Sequence, residues 1–232
     1  MIRVSPAALR GFVLLWAVPA LVVRAGAESL ADILARMDRA AQEFKSVSAN
    51  MKRVSYTAVI NESSEATGVM RLKRAKGGTA GIVEFDLPEP RIFHFAGRQL
   101  DIYYPKANTV EIYDAEKYTK TMDQVLLLGF GTSGAELKKA YEIKDGGMET
   151  IGAARSTRIE LAPKSSELKN LFTKIELWIP EGESNPVQEK VTEPSKNYEL
   201  VIYSELKVNA PLADSLFEPK IPAGVKKLHP QK

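Results

Sequence analysis

The sequence has no cysteine and only two histidines among its 232 residues. The absence of cysteine excludes disulfide bonds, thiolate metal sites, a cysteine nucleophile and the lipid-modified cysteine of a bacterial lipoprotein. Two histidines are too few for a histidine-based metal cluster. The 15 glycines and 13 prolines are of average abundance, which excludes a collagen-like or low-complexity chain. We therefore expect a folded protein that holds no metal and no other cofactor.

The chain also lacks an excess of one charge once its N-terminus is set aside. Residues 1–27 contain three of the 32 basic residues and no acidic one, so 29 basic residues remain to balance 29 acidic ones. The whole-chain pI of about 8.9 is therefore a property of the N-terminal segment. A neutral remainder offers no basic surface for a nucleic acid, and we expect no nucleic-acid partner.

The longest N-terminal apolar run, residues 11–23, is too short for an ordinary membrane-spanning helix. Arg3 and Arg10 precede it, and Ala25-Gly26-Ala27 follows as a small-x-small cleavage site. This pattern predicts a secretory signal peptide over residues 1–27, with cleavage after Ala27 and an exported single domain over residues 28–232. The alternative is an uncleaved membrane anchor, which would also export the rest of the chain.

One helix is predicted directly after this segment, over residues 29–45. Ser29 and Asp32 have the spacing of an N-terminal cap. Apolar residues then recur every three or four positions, as in a helix with one buried side. They are Leu30, Ile33, Leu34, Met37, Ala41 and Phe44.

The period changes to two after the helix, and short runs of alternating residues are separated by turn-forming residues. The pattern predicts about eleven strands, over residues 47–60, 67–74, 81–87, 91–95, 99–104, 109–114, 141–144, 156–161, 172–179, 187–193 and 198–208. The short turns indicate an antiparallel meander. Residues 122–130 are apolar, residues 135–140 favour a short helix, and residues 164–170 a single helical turn. We expect the tail from Pro211 to pack without regular structure.

A meander of this length must protect its edges and its apolar face, which a barrel or a strongly curved sheet achieves. The predicted fold class is thus α+β and mainly β, with an apolar cavity covered by the first helix and by the segment 122–140. Strand alternation places seven side chains in this cavity: Met70, Leu72, Val83, Phe85, Leu100, Ile102 and Tyr104. The covering segment contributes the predicted lid residues Leu126, Leu127, Leu128 and Phe130.

No motif in the sequence predicts an enzyme. Residues 129–134 read G-x-G-x-x-G, which matches a dinucleotide-binding fingerprint in spacing. The helix available after it is too short for a βαβ unit, and the surrounding strands look antiparallel, so a lid hinge explains these glycines better. His94 lies in a strand without an acid or a serine motif that would complete a triad, and we interpret it as structural.

Arg74 ends the apolar face of the second strand, at the rim of the predicted cavity. Met70, Leu72 and Arg74 alternate onto one face of this strand. A cation at that position needs acceptors, and carbonyl groups of the lid could supply them. The alternative is an ordinary turn arginine before Lys76 and the two glycines that follow it.

Five segments, taken in order, resemble the periplasmic lipoprotein carriers of the LolA type. They are FKSVSA at 44–49, GVMRLKR at 68–74, GRQLDIYYP at 97–105, LKNLF at 168–172 and LFEPKIPAGV at 216–225. The resemblance implies an unclosed β-barrel whose inner face takes up the acyl chains of lipoproteins beneath a helical lid. In that family an arginine of the second strand controls the lid, and it corresponds to Arg74.

The resemblance also implies partners and a location. It implies a monomeric periplasmic carrier that receives acylated lipoproteins from an inner-membrane transporter and delivers them to an outer-membrane acceptor. A related half-barrel that binds or senses another hydrophobic ligand or lipid is the alternative. Analysis of the acyl chains that co-purify with the protein would separate these two functions.

Overall fold

The computed structural model describes residues 28–75, 78–114 and 128–230. The predicted signal segment lies outside these ranges, as do Leu126 and Leu127 of the predicted lid. Three α-helices are described: α1 (Leu30–Glu43), α2 (Gly134–Ala140) and α3 (Ser166–Leu171). None of them has both the length and the apolar content needed to cross a membrane.

Helix α1 has the cap and the buried side that the sequence predicts. The Ser29 hydroxyl accepts a hydrogen bond from the backbone N–H of Asp32, at 3.2 Å. This bond satisfies one of the free N–H groups at the start of the helix. The buried residues of the helix are Ile33, Leu34, Met37 and Ala41. The helix ends before Phe44, whose backbone is extended and directs the chain into the first strand.

Twelve strands form one sheet in the described part of the chain. They are β1 (Ser46–Thr57), β2 (Glu62–Ala75), β3 (Gly78–Leu87), β4 (Arg91–Ala96), β5 (Gln99–Tyr104), β6 (Thr109–Asp114), β7 (Tyr141–Ile151), β8 (Ala154–Pro163), β9 (Lys174–Pro180), β10 (Gln188–Thr192), β11 (Tyr198–Val208) and β12 (Lys226–Leu228). Their order is β12-β6-β5-β4-β3-β2-β1-β11-β10-β9-β8-β7, so β12 and β7 are the two ends and the sheet is unclosed. The predicted fold class, mainly β with an unclosed sheet, is confirmed.

Two predicted details of the sheet are wrong. The first predicted strand, residues 47–60, is too long: β1 ends at Thr57 and residues 58–61 form the turn, since Glu62 already pairs with Thr57. Val59 and Ile60 extended the predicted strand because they are apolar, yet their side chains are 89% and 59% exposed. The tail also has regular structure, because Lys226–Leu228 pairs in parallel with β6. A three-residue strand shows no alternation in the sequence, and only its partner strand defines it.

The register divides the side chains of the sheet between two faces. Met70 lies opposite Val83, Val83 opposite Phe93, and Phe93 opposite Ile102. Because directly opposed residues point to the same side of a sheet, these four side chains share one face. We call it the inner face. Helix α1 packs on the part of this face formed by β7–β10, where its apolar residues contact Ile159, Leu161, Ile175 and Leu177.

The other face, which we call the outer face, is partly covered by the C-terminal tail. Ile82, Tyr103 and Val110 are buried on this side. A short 3-10 helix, Asp214–Phe217, packs beside β3. The ammonium of Lys73 forms an ion pair with Asp214 and lies 4.2 Å from the centre of the Phe217 ring. The tail therefore covers the outer face of β2 and β3, whereas α1 and residues 128–140 pack on the inner face.

Gly68 marks the closest approach between two strands. It lies at a register shift between β2 and β3, and a Cβ atom there would stand 2.2 Å from the carbonyl oxygen of Glu84. We expect Gly68→Ala to lower the free energy of unfolding by about 1–3 kcal/mol, because the backbone of β3 must move to admit the methyl group. Urea denaturation measures the change.

The matched control is Gly97→Asn, in the turn between β4 and β5. A Cβ atom at Gly97 would meet no other atom within 4 Å, and asparagine adopts its φ of +59° more readily than other residues with a side chain. The Gly68 variant should therefore be the less stable of the two. Equal free energies of unfolding would show that β2 and β3 separate freely at this point.

Candidate functional site

Three of the seven predicted cavity residues lie in a closed part of the inner face. Met70, Leu72 and Phe85 are 5%, 0% and 8% exposed. They form one apolar cluster with two residues from outside the sheet, Phe44 after helix α1 and Phe130 of the lid segment. In this conformation the two phenylalanine side chains occupy the space that the sequence assigns to a ligand.

The other four predicted cavity residues lie in a less covered part of the inner face. Val83, Leu100, Ile102 and Tyr104 are half-buried and belong to β3 and β5. The Val83 side chain packs against the cluster of Met70, together with Phe93 of β4, which the sequence analysis did not include. The structure thus brings the seven residues onto one face, and their role in binding a ligand stays a prediction.

The described lid residues Leu128 and Phe130 are each 1% exposed. Leu128 packs against the apolar side of α1, in the cluster that covers β7–β9. Phe130 contacts the ring of Tyr203 edge-on, with the ring centres 4.9 Å apart. Because their side chains point to different parts of the inner face, this short segment closes the gap between α1 and strands β1–β3.

The glycines of the 129–134 motif permit close packing of the lid. Gly131 has a φ of +119°, and a Cβ atom there would lie 2.6 Å from the Phe44 ring. At Gly134 a Cβ atom would lie 2.5 Å from the carbonyl oxygen of Leu34 in α1. Helix α2 that follows has only seven residues, and the strands β1–β11 pair antiparallel. A dinucleotide-binding βαβ unit is therefore not formed at this motif.

Arg74 connects the end of α1 to the lid. Its Nη2 donates hydrogen bonds to the carbonyl oxygens of Ala41, at 3.1 Å, and of Gly131, at 3.0 Å. The guanidinium also lies 5.8 Å from the centre of the Phe44 ring. Ala41 is in the last turn of α1, where the helix dipole favours a cation. The side chain is exposed, so water competes for the same carbonyls and each bond contributes little.

Other polar contacts hold the lid segment against α1. The backbone N–H of Ala135 donates to the carboxylate of Asp38, at 2.9 Å. Ser133 and Glu136 form a capping box at the start of α2. An open cleft of about 610 Å³ lies beside these contacts and is bordered by Asp38, Ala41, Arg74 and Ser133. The lid is thus attached to α1 as well as to the sheet.

The sequence analysis missed a polar pair on the inner face. Tyr203 of β11 donates its hydroxyl to the carboxylate of Glu189 of β10, at 3.2 Å. Burial raises the pKa of Glu189 to about 7, and the hydrogen bond from Tyr203 opposes that rise. The nearby Tyr141 hydroxyl is buried without a hydrogen-bond partner, and burial raises its pKa to about 12. The sequence could have indicated this buried carboxylate, because Glu189 alternates with Val187 and Val191 in the predicted strand 187–193.

We expect Glu189 to make the protein less stable as the pH rises. Its pKa is about 7 in the folded protein and 4.5 when unperturbed, so between these values the unfolded chain releases a proton that the folded chain keeps. This loss of stability begins near pH 4.5 and ends above pH 7. Glu189→Gln removes the charge, so it should raise the free energy of unfolding at pH 8 by on the order of 2 kcal/mol, with little effect at pH 4.5.

Denaturation at the two pH values measures this difference. Glu142→Gln serves as the control, because Glu142 is exposed in β7 and the same substitution there removes a carboxylate that is not buried. A Glu189 variant that follows the pH dependence of the wild type would show that this carboxylate ionises normally in the folded protein.

Solved structures of other proteins are similar to this chain at low sequence identity. A structure of an uncharacterized conserved protein from Thermus thermophilus is 13% identical, with a TM-score of 0.54, and the match covers 87% of this chain and 99% of that chain. The Mycobacterium tuberculosis lipoprotein LppX is 15% identical, with a TM-score of 0.48, and the match covers 80% of this chain and 99% of that chain. No curated protein matches the sequence.

The match to a family model covers most of the chain. The family is described as outer membrane lipoprotein carrier protein LolA, and its model matches residues 42–220. These residues begin at the end of α1, include the sheet from β1 to β11, and end in the tail that covers the outer face. The resemblance found in the sequence is confirmed, and the chain belongs to the LolA family.

Proposed function

We propose that the protein is an exported carrier that binds the acyl chains of lipoproteins on its inner face. The observation that carries this proposal is the double contact of Arg74 with Ala41 and Gly131. This contact closes the lid over Met70, Leu72 and Phe85, the deepest part of the apolar face. We assign no catalytic role to the chain.

In this proposal Phe44 and Phe130 occupy the inner face when no cargo is bound. Burial of one such side chain stabilises the closed form by roughly 1.5–3 kcal/mol. An acyl chain replaces this contact with an equivalent apolar one, so the exchange of lid for cargo costs little free energy. Binding and release then depend on small differences in free energy between the closed and the loaded form. The two Arg74 hydrogen bonds contribute most directly to this difference.

The family and the predicted signal segment support a location and partners for this carrier. We propose that residues 1–27 direct export to the periplasm. There an inner-membrane transporter loads the carrier and an outer-membrane acceptor unloads it. A second possibility is a half-barrel that binds another hydrophobic ligand, since the fold of this family suits hydrophobic ligands in general. Mass spectrometry of organic extracts from the purified protein would identify the bound molecule and separate the two.

Arg74→Leu should slow the release of an acylated peptide to an acceptor while uptake persists. The variant loses the two hydrogen bonds that stabilise the closed, empty form, about 1 kcal/mol because the side chain is exposed. That loss predicts a release rate about fivefold lower. Arg74→Lys should have a smaller effect, since an ammonium cannot reproduce the two-pronged guanidinium geometry. Transfer kinetics of a fluorescent acylated peptide measure both variants.

The matched control is Arg71→Leu, three residues earlier in the same strand. Arg71 lies on the outer face, where its guanidinium pairs with Glu84 at 2.5 Å. Its replacement also removes a charge and an ion pair, but it leaves the lid contacts intact. Equal release rates for the wild type and Arg74→Leu would remove Arg74 from the mechanism.

A further inference from the structure

Arg53 is a cation on the apolar inner face, in strand β1. Its guanidinium carbon lies 4.3 Å from the centre of the Phe85 ring, two strands away on β3. Ala66 and Gly68 are the residues of β2 on the same face: Ala66 lies opposite Arg53, and Gly68 lies opposite Phe85. Because these two side chains are small or absent, Arg53 can extend across β2 and rest on the aromatic ring.

Arg91 lies next to Phe85 on the same face, on the strand away from Arg53. It is the first residue of β4 and lies directly opposite Phe85 in the sheet. Its guanidinium carbon is 5.0 Å from the centre of the Tyr104 ring. The two arginines therefore flank Phe85 and are each supported by an aromatic face, which holds a guanidinium without using its N–H groups.

Neither guanidinium is fully engaged by the protein. Arg53 Nε lies 3.5 Å from a Glu199 oxygen, yet it is buried and makes no hydrogen bond. Arg91 Nη2 lies 3.7 Å from a Glu89 oxygen, and that carboxylate side chain is 73% exposed. The two arginine side chains are 29% and 33% exposed. Hydrogen-bond donors of two cations thus remain available to an oxyanion, which a guanidinium binds well.

An apolar path leads away from this pair along the inner face. Val83, Phe93 and Ile102 form a half-buried row across three strands, next to the row that contains Phe85 and Arg91. Arg74 lies eight residues beyond Ala66 on β2, which corresponds to about 26 Å of extended strand. An acyl chain in one leaflet of a bilayer covers half of the roughly 30 Å hydrocarbon core. The path is therefore long enough for one acyl chain.

We propose that the inner face of β1–β5 binds a single-chain anionic amphiphile, with its phosphate or carboxylate between Arg53 and Arg91 and its chain directed towards Arg74. Charge complementarity with the two guanidinium groups selects this class of ligand over a neutral lipid. The inference rests on the second possibility of the proposed function, a half-barrel that binds a hydrophobic ligand other than a lipoprotein, because it assigns the polar end of a ligand whose acyl chain occupies the same face.

Binding of three probes with the same acyl chain tests the inference: oleoyl lysophosphatidic acid, oleic acid and monoolein. The first two carry a phosphate and a carboxylate, and the third is neutral. We expect both anionic probes to bind the wild-type protein roughly tenfold or more tightly than monoolein. Arg53→Gln combined with Arg91→Gln should abolish that preference and leave monoolein binding unchanged. Tighter binding of one anionic probe than of the other would identify the preferred headgroup.

The control is Arg155→Gln, because Arg155 lies on strand β8, outside strands β1–β5, where it is 64% exposed and pairs with Glu181. A salt titration of the wild-type protein provides a second measurement should the double variant fold poorly. Salt should weaken the binding of the anionic probes and not that of monoolein. Equal affinities of the wild type for all three probes would overturn the inference and leave the proposed function standing. Failure of all three to bind would overturn the inference and the second possibility on which it rests, whereas transfer of the acylated peptide tests the lipoprotein carrier separately.

Discussion

The structure depends on one constraint: an unclosed sheet with an apolar inner face needs a cover, and a carrier needs that cover to be removable. Part of the cover is built into the core, since Ile33, Leu34 and Met37 of α1 are almost completely buried against β7–β9. Among the described residues, another part consists of two aromatic side chains, Phe44 and Phe130, on strands β1–β3. The smaller cover is attached to the larger one by exposed hydrogen bonds, which are easy to break.

Under the proposed function, this division favours ligand exchange on one half of the inner face. Displacing α1 would expose three large apolar side chains, each contributing roughly 1.5–3 kcal/mol to the closed form. Displacing Phe130 exposes one, together with its edge-on contact with Tyr203. The half formed by β1–β5 is therefore the easier one to open. On this half, Leu100 and Ile102 remain partly exposed even in the closed form.

Much of this organisation could be predicted from the sequence, because it depends on local patterns. The helical stripe that ends at Phe44 and the alternation of Met70 and Leu72 each require only neighbouring residues. Features that depend on distant partners could not be predicted. Strand β12 exists only through its pairing with β6, and the contact of Arg53 with Phe85 requires the small residues of an intervening strand. Glu189 was visible as a charge among valines, but its partner Tyr203 follows from the pairing of β10 with β11.

Two arginines of the inner face, Arg53 and Arg74, lie at positions that the cover leaves partly accessible. Arg74 stands at one end of the β2 row and Arg53 lies beside its other end, with apolar residues between them. A cation within the apolar stretch would lose its hydration when the lid closed, at a cost that two weak hydrogen bonds could not offset. Cations at the ends keep contact with water and still act on the ligand. In the two proposals made above, Arg74 determines when the lid closes and Arg53 determines which molecule is held beneath it.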